Sequence, residues 1–220
     1  MTNSKVFSLS SVLSALIVTI FLISGAVCLT LAFRPLYYFD IGHLHIPERS
    51  GLSAEEIRLN YDALIDYNSI FMRGELDFPT LPMSENGRNH FEEVKNIFTS
   101  VQVLCLVSFL ACAVLFFFHY RQRDLRFLRL ASLFSLGIPA VLGLLIGAGW
   151  DNFFVVFHKL FFRNDYWLFD PQTDPVINIL PDAFFLHCAL MILAVIVLGS
   201  LLLFLLGRVL PQTKQKTTDS

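Results

Sequence analysis

Two histidines stand apart from the rest of this sequence by their surroundings. His90 lies in NHFEEVKNIF, with Glu93 three residues later and Lys95 beyond it. His158 lies in FHKLFFRNDYWLFDPQTDP (157–175), followed by Arg163, Asn164, Asp165 and Tyr166. Imidazole titrates near neutrality, so two of them brought together supply a general base and a general acid. A carboxylate three residues on along a helix shares the histidine's face, which makes Glu93 a candidate to orient the His90 ring. Asn164, Asp165 and Tyr166 are the corresponding partners for His158. The plain alternative is a pair of solvated loop histidines, and sequence carries no distances to separate the two readings.

The other four histidines are weaker candidates. His43 and His45 form an H-x-H pair on an expected strand, which is a partial metal site at most. His119, beside Tyr120 and Arg121, reads as an interface residue, and His187 as a packed, hydrogen-bonded histidine near the end of an apolar segment. No G-x-S-x-G, P-loop, G-x-G-x-x-G or H-E-x-x-H motif occurs. Cys28, Cys105, Cys112 and Cys188 all fall in apolar stretches, as small packing residues rather than a disulfide framework.

The elements that must hold these side chains belong to a membrane protein. The 220 residues are 55% hydrophobic and 15% charged, with 23 Phe, more apolar material than a soluble core of this size needs. Four stretches carry no charged residue: 6–33, 96–120, 130–150 and 183–207. Each is long enough to cross the hydrocarbon as a helix. Spans are therefore expected at about 6–33, 97–120, 130–150 and 183–207, within one membrane domain over 1–220. The first is too long for a signal-peptide core and lacks an A-x-A site, so it reads as a retained helix. Arg121, Arg123, Arg126, Arg129, Lys5, Arg208, Lys214 and Lys216 give one face eight basic residues against two acidic ones, Asp124 and Asp219. The opposite face holds eight basic and sixteen acidic residues. The positive-inside rule then makes both termini cytoplasmic and turns 34–96 and 151–182 outward. An acidic outer face offers no patch for nucleic acid, and spans almost without ionisable groups argue against an ion pump.

The two outer segments are expected to form a small α+β cap. PLYYFDIGHLHI has the aromatic content of a strand, FMRGELDF reads as a hairpin, and VINIL as a short strand. Ser53 and Glu56 form a capping box ahead of a helix with Ile57, Leu64 and Ile65 at helical spacing. Asn89 is the expected N-cap of a helix running on into the second span, with Glu92 at its third position, and Asp151 the N-cap of a short amphipathic helix. On that helix Phe153, Phe154, Phe157, Leu160 and Phe161 make an apolar stripe suited to the membrane interface. DPQTDP supplies turn chemistry, so Asp170 and Asp174 fix a turn rather than react.

His90-Phe-Glu-Glu-Val-Lys95 followed by a span, and then FHKLFFRNDYWLFDPQTDPVINILPDAFF, resembles the Lit family, the lipoprotein intramolecular transacylases of Gram-positive bacteria. The resemblance covers nearly the whole chain. It implies a membrane lipoprotein substrate whose N-terminal cysteine bears an S-diacylglyceryl group. The sn-2 acyl chain would move to that cysteine's α-amine, giving the lyso-form lipoprotein. It implies no cofactor, no acyl donor beyond the substrate, and His90 and His158 as essential residues on the extracellular face. Both reacting groups lie on one molecule, so proximity is largely built in. What remains is proton transfer at the amine and the departing oxygen, and donors for the oxyanion. Asn164, Tyr166, Lys95 and Arg163 are candidate donors. Phe153, Phe154, Phe157, Phe161 and Trp167 are candidates to hold acyl chains, with membrane lipid around them and no further protein partner.

Two other readings remain open at this stage. One is a non-enzymatic four-helix membrane protein whose cap binds a lipid or a partner. The other is a metal-dependent hydrolase using the two histidines with Glu93 and Asp165 as ligands.

Overall fold

In the computed structural model, residues 8–122 and 124–210 are described. Lys5, Arg123, Lys214, Lys216 and Asp219, used above for orientation, lie outside them. The order is α1 (Leu9–Ala32), α2 (Arg34–His43), α3 (Ile46–Ser50), α4 (Ala54–Tyr67), α5 (Glu85–Arg121), α6 (Arg126–Ala148), α7 (Trp150–Phe161), α8 (Val176–Ile179) and α9 (Asp182–Val209). Four of these helices, α1, α5, α6 and α9, are long and apolar enough to cross a membrane. The described residues form two compact units.

Of the described residues, the first unit draws on 8–26, 104–122, 124–142 and 193–210. Its core holds Ala15, Val18, Leu125, Phe127, Leu128, Leu130 and Ala131. Short polar side chains link its helices, as expected where lipid gives no hydrophobic drive between them. The Asp124 carbonyl can only accept, so His119 donates to it from Nδ1 (3.1 Å). Nε2 then accepts from Ser14 Oγ (3.0 Å). His119 is thus a buried helix tie.

The second unit, Val27–Val103 and Gly143–Ile192, carries both His90 and His158. Its core is rich in aromatic residues: Tyr37, Tyr61, Tyr67, Phe78, Phe91 and Phe184 pack with Ile41, Ile46, Ile57, Val176 and Ile179. No strand occurs among the described residues, so the expected α+β cap is corrected to an all-helical one. PLYYFDIGH forms α2, and Leu44 and His45 turn into α3 at Ile46, because Pro35 is pre-set for a helix start and Tyr37, Asp40 and Ile41 fall on one buried helical face. FMRGELDF makes no hairpin. Leu76, Phe78 and Leu81 plug the core along a strap whose Thr80 is held by Asn60: Oδ1 accepts from Thr80 N–H and Nδ2 donates to Thr80 Oγ1. A side-chain amide thus stands in for a partner strand. VINIL begins the single helical turn α8 behind Pro175. The Ser53–Glu56 capping box is present, with Ile57 and Leu64 buried along α4.

Candidate active site

The start of α5 sets His90. Ser84 Oγ accepts from Gly87 N–H (3.0 Å), and the Ser84 N–H donates to Asp174 Oδ1 (2.8 Å). The helix therefore begins at Glu85, and the expected N-cap Asn89 lies inside it. A carboxylate arriving from DPQTDP chose between two capping signals five residues apart. His90 and Glu93 consequently face the same way in the polar turns that precede the charge-free stretch of α5. His90 is 6% exposed, against Phe162 (4.7 Å between ring centres), Phe169 (5.4 Å) and Phe91 (5.7 Å).

His158 sits in the last turn of α7. That helix is capped by Gly149, at φ 151°, rather than by Asp151, which lies in its first turn where a carboxylate suits the helix dipole. His158 Nδ1 donates to the Phe154 carbonyl (2.8 Å). Its ring lies 4.1 Å from Phe154 and 4.7 Å from Trp167.

The two imidazoles, 68 residues apart in the chain, lie 6.3 Å apart between ring centres at 31°. No hydrogen bond joins them, and the Phe162 ring lies against both, 4.7 Å from His90 and 5.7 Å from His158. Burial lowers the proton affinity of His90, and the neighbouring His158 ring lowers it further, to a pKa of about 4. Burial also lowers His158, opposed by its bond to the Phe154 carbonyl and by Asp182. Both rings are neutral near pH 7. Because Nδ1 of His158 carries the proton given to a carbonyl, the bare nitrogen is Nε2.

Asn164 joins the two loops. Its Nδ2 donates to Glu93 Oε1 (2.8 Å), its Oδ1 accepts from Tyr166 N–H, and its carbonyl accepts from Trp167 Nε1 (3.1 Å). Glu93 therefore makes no bond to the His90 ring, contrary to the expected orienting role. His90 Nδ1 and Glu93 Oε2 are both buried without a hydrogen-bond partner among the described residues.

Other candidates are placed elsewhere. Lys95 lies over the Tyr67 ring (4.0 Å), and Arg163 and Asp165 are exposed. Tyr166 contributes its backbone N–H to Asn164. Phe157 and Phe161 lie tilted against each other (4.6 Å) at the exposed side of α7, Phe157 also meeting the His158 ring edge-on (5.6 Å), and Phe153 packs on Trp150. Of the aromatic stripe, Phe154 meets the His158 ring face, together with Trp167. Sequence reasoning missed Phe162, Phe169 and Phe91, which line His90. Phe162 had a signal, since it lies four residues after His158. Phe169 reaches the site only through the loop's path.

Asp170 and Asp174 hold the turn: Asp170 Oδ1 accepts from Gln172 N–H, and Asp174 Oδ2 from Thr173 Oγ1. His187 Nδ1 bonds Asp40 (2.8 Å), which is fully buried, and His43 lies 5.9 Å from the His187 ring rather than on a strand beside His45. No group of three or more His, Cys, Asp or Glu among the described residues is arranged to hold a metal ion.

Comparison with known proteins gives this arrangement a family. The model of the lipoprotein intramolecular transacylase Lit matches residues 12–185. The in meso structure of the membrane-integral Lit from Bacillus cereus is similar at a TM-score of 0.90 and 38% identity, covering 92% of this chain and 94% of that one. Structures of the same protein with one histidine replaced by arginine or by alanine match at TM-scores of 0.83 and 0.84, both at 37% identity and 92% of this chain, covering 90% and 92% of theirs. A search of curated proteins gives no match. With the matched model spanning most of the chain and the whole fold shared, this protein belongs to the Lit family of lipoprotein intramolecular transacylases, and is an acyltransferase.

Proposed function

We propose that this enzyme moves the sn-2 acyl chain of an S-diacylglyceryl lipoprotein to the α-amine of the N-terminal cysteine, at the outer membrane face, with His158 as base and His90 as hydrogen-bond donor. The α-ammonium, with a reference pKa near ~8, gives one proton to solvent before it can attack. The amine nitrogen adds to the sn-2 ester carbonyl while His158 Nε2 takes one of its protons. The oxyanion accepts a hydrogen bond from the neutral His90 ring. The carbon–oxygen bond to glycerol then breaks, and the departing oxygen takes the proton from the His158 imidazolium. The products are an amide and a free glycerol hydroxyl, with no donor or cofactor consumed. His90 suits donation better than proton delivery because its ring stays unprotonated until about pH 4.

The observation that carries this reading is the pairing of two neutral imidazoles 6.3 Å apart within an aromatic enclosure, one with its bare nitrogen fixed by a backbone carbonyl. The enclosure of Phe154, Phe162, Trp167 and Phe169 excludes water that would otherwise hydrolyse the ester.

The test uses a lipoprotein with an isotopic label in its sn-2 chain, analysed by mass spectrometry of its N-terminus. The label should appear on the amide with total acyl count unchanged, and His90→Ala or His158→Ala should lower turnover by at least about 10²-fold. Label retained on glycerol, or an acyl chain arriving from a second molecule, would overturn the proposal.

A further inference from the structure

Glu93 presents an atom that the reaction above leaves unused. One carboxylate oxygen, Oε1, accepts from Asn164 Nδ2. The other, Oε2, is buried with no partner among the described residues. Buried carboxylate oxygens are rarely left this way, because each lost water bond goes uncompensated. Cations near Glu93 in sequence, or next to its partner Asn164, are engaged or elsewhere: Lys95 lies over Tyr67, Arg88 pairs with Glu75 (2.6 Å), and Arg163 is exposed. Asn164 fixes the carboxylate's direction and also holds Trp167, which packs on His158. Along α5, Glu93 follows His90 by three residues and shares its face.

We infer that Glu93 Oε2 receives the positively charged α-amino group of the substrate's N-terminal cysteine. The inference rests on the transfer reaction proposed above and adds what recognises its acceptor. A cation with several N–H donors is the chemical complement of a buried, half-satisfied carboxylate. After deprotonation the amine still donates one N–H to Oε2 and offers another to His158 Nε2, which leaves its lone pair for the ester carbonyl. The arrangement also gives selectivity. A lipoprotein already N-acylated has a neutral amide at this position, so both the product and any N-acylated competitor lose the charge pairing.

Binding is tested with an N-terminal cysteinyl peptide carrying an S-glyceryl group with ether-linked chains, which cannot be transferred. Its free-amine and N-acetyl forms are compared at pH 6.5, where the amine is charged, on full-length enzyme in nanodiscs. Wild type should bind the free-amine form about tenfold or more tightly than the acetylated one. Glu93→Gln should bind both alike, at the affinity wild type shows for the acetylated form, which reports an intact pocket. Equal binding by wild type, or a preference that survives in Glu93→Gln, overturns the inference. Transfer of a labelled sn-2 chain is scored separately on the ester substrate. A wild type that transfers the labelled chain but shows no amine preference sinks this inference alone, whereas a wild-type preference abolished by Glu93→Gln, without transfer, sinks only the reaction.

Discussion

Burial keeps His90 and His158 uncharged, and this has a direct pH consequence. The folded-state pKa of His90 is about 4, below the ordinary 6.5. Above pH 6.5 the ring is neutral whether folded or not, and its burial carries no titration penalty. As pH falls from 6.5 toward 4, the unfolded chain binds a proton that the folded site refuses, so stability is progressively lost. The thermal midpoint should fall between pH 7 and pH 5, and the fall should shrink in His90→Gln; an equal slope in both proteins would refute the assignment. For catalysis, His158 is also depressed, so the acid limb of kcat/KM set by the enzyme should lie below the usual histidine range. The rate should rise toward about pH 8 as the substrate amine deprotonates. The sequence marks both imidazoles as candidates because they lie outside the charge-free stretches, in two segments it turns to one membrane side, with a pair of solvated loop histidines as the alternative. The Asn164–Glu93 bond was not legible, since it spans 71 residues and depends on how two loops meet.

At the scale of elements, α5 carries His90 and its first turn is set from far away in the chain. Gly87 lies so close to Asp174 that an added Cβ would overlap Oδ1, the atom that accepts the Ser84 N–H. Gly87→Ala should therefore destabilise the second unit by about 1–3 kcal/mol. It should also lower turnover, since the displaced carboxylate anchors the helix start, Glu85, five residues before His90. Thermal unfolding and single-turnover rates check this together, and an unchanged midpoint would show that the contact relaxes freely. The same contact explains a missed boundary. Both Ser84 and Asn89 are good caps by type, and only the arrival of Asp174 selects Ser84. Where every signal was local the reading succeeded, as with the Ser53–Glu56 box on α4. On α2 aromatic content points to a strand, whereas Tyr37, Asp40 and Ile41 repeat at helical intervals, and that spacing decides the element.

For the whole molecule, the four membrane-grade helices were legible as charge-free runs, since a missing charge over twenty residues is a signal that tertiary packing cannot override. Charge bias supports both termini on the cytoplasmic side and the histidine-bearing segments outside. A membrane-impermeant maleimide should label Glu55→Cys on intact cells and Arg121→Cys only after permeabilisation; the reverse pattern would invert the orientation. The amphipathic helix α7 adds a further consequence. It contains no buried residue, and Phe157, Leu160 and Phe161 are 42%, 75% and 50% exposed. An exposed apolar stripe of this kind suits a membrane interface, and His158 rides on the same helix. On the proposed reaction, stiffening or thickening the surrounding leaflet should therefore retune turnover even where every protein contact stays intact.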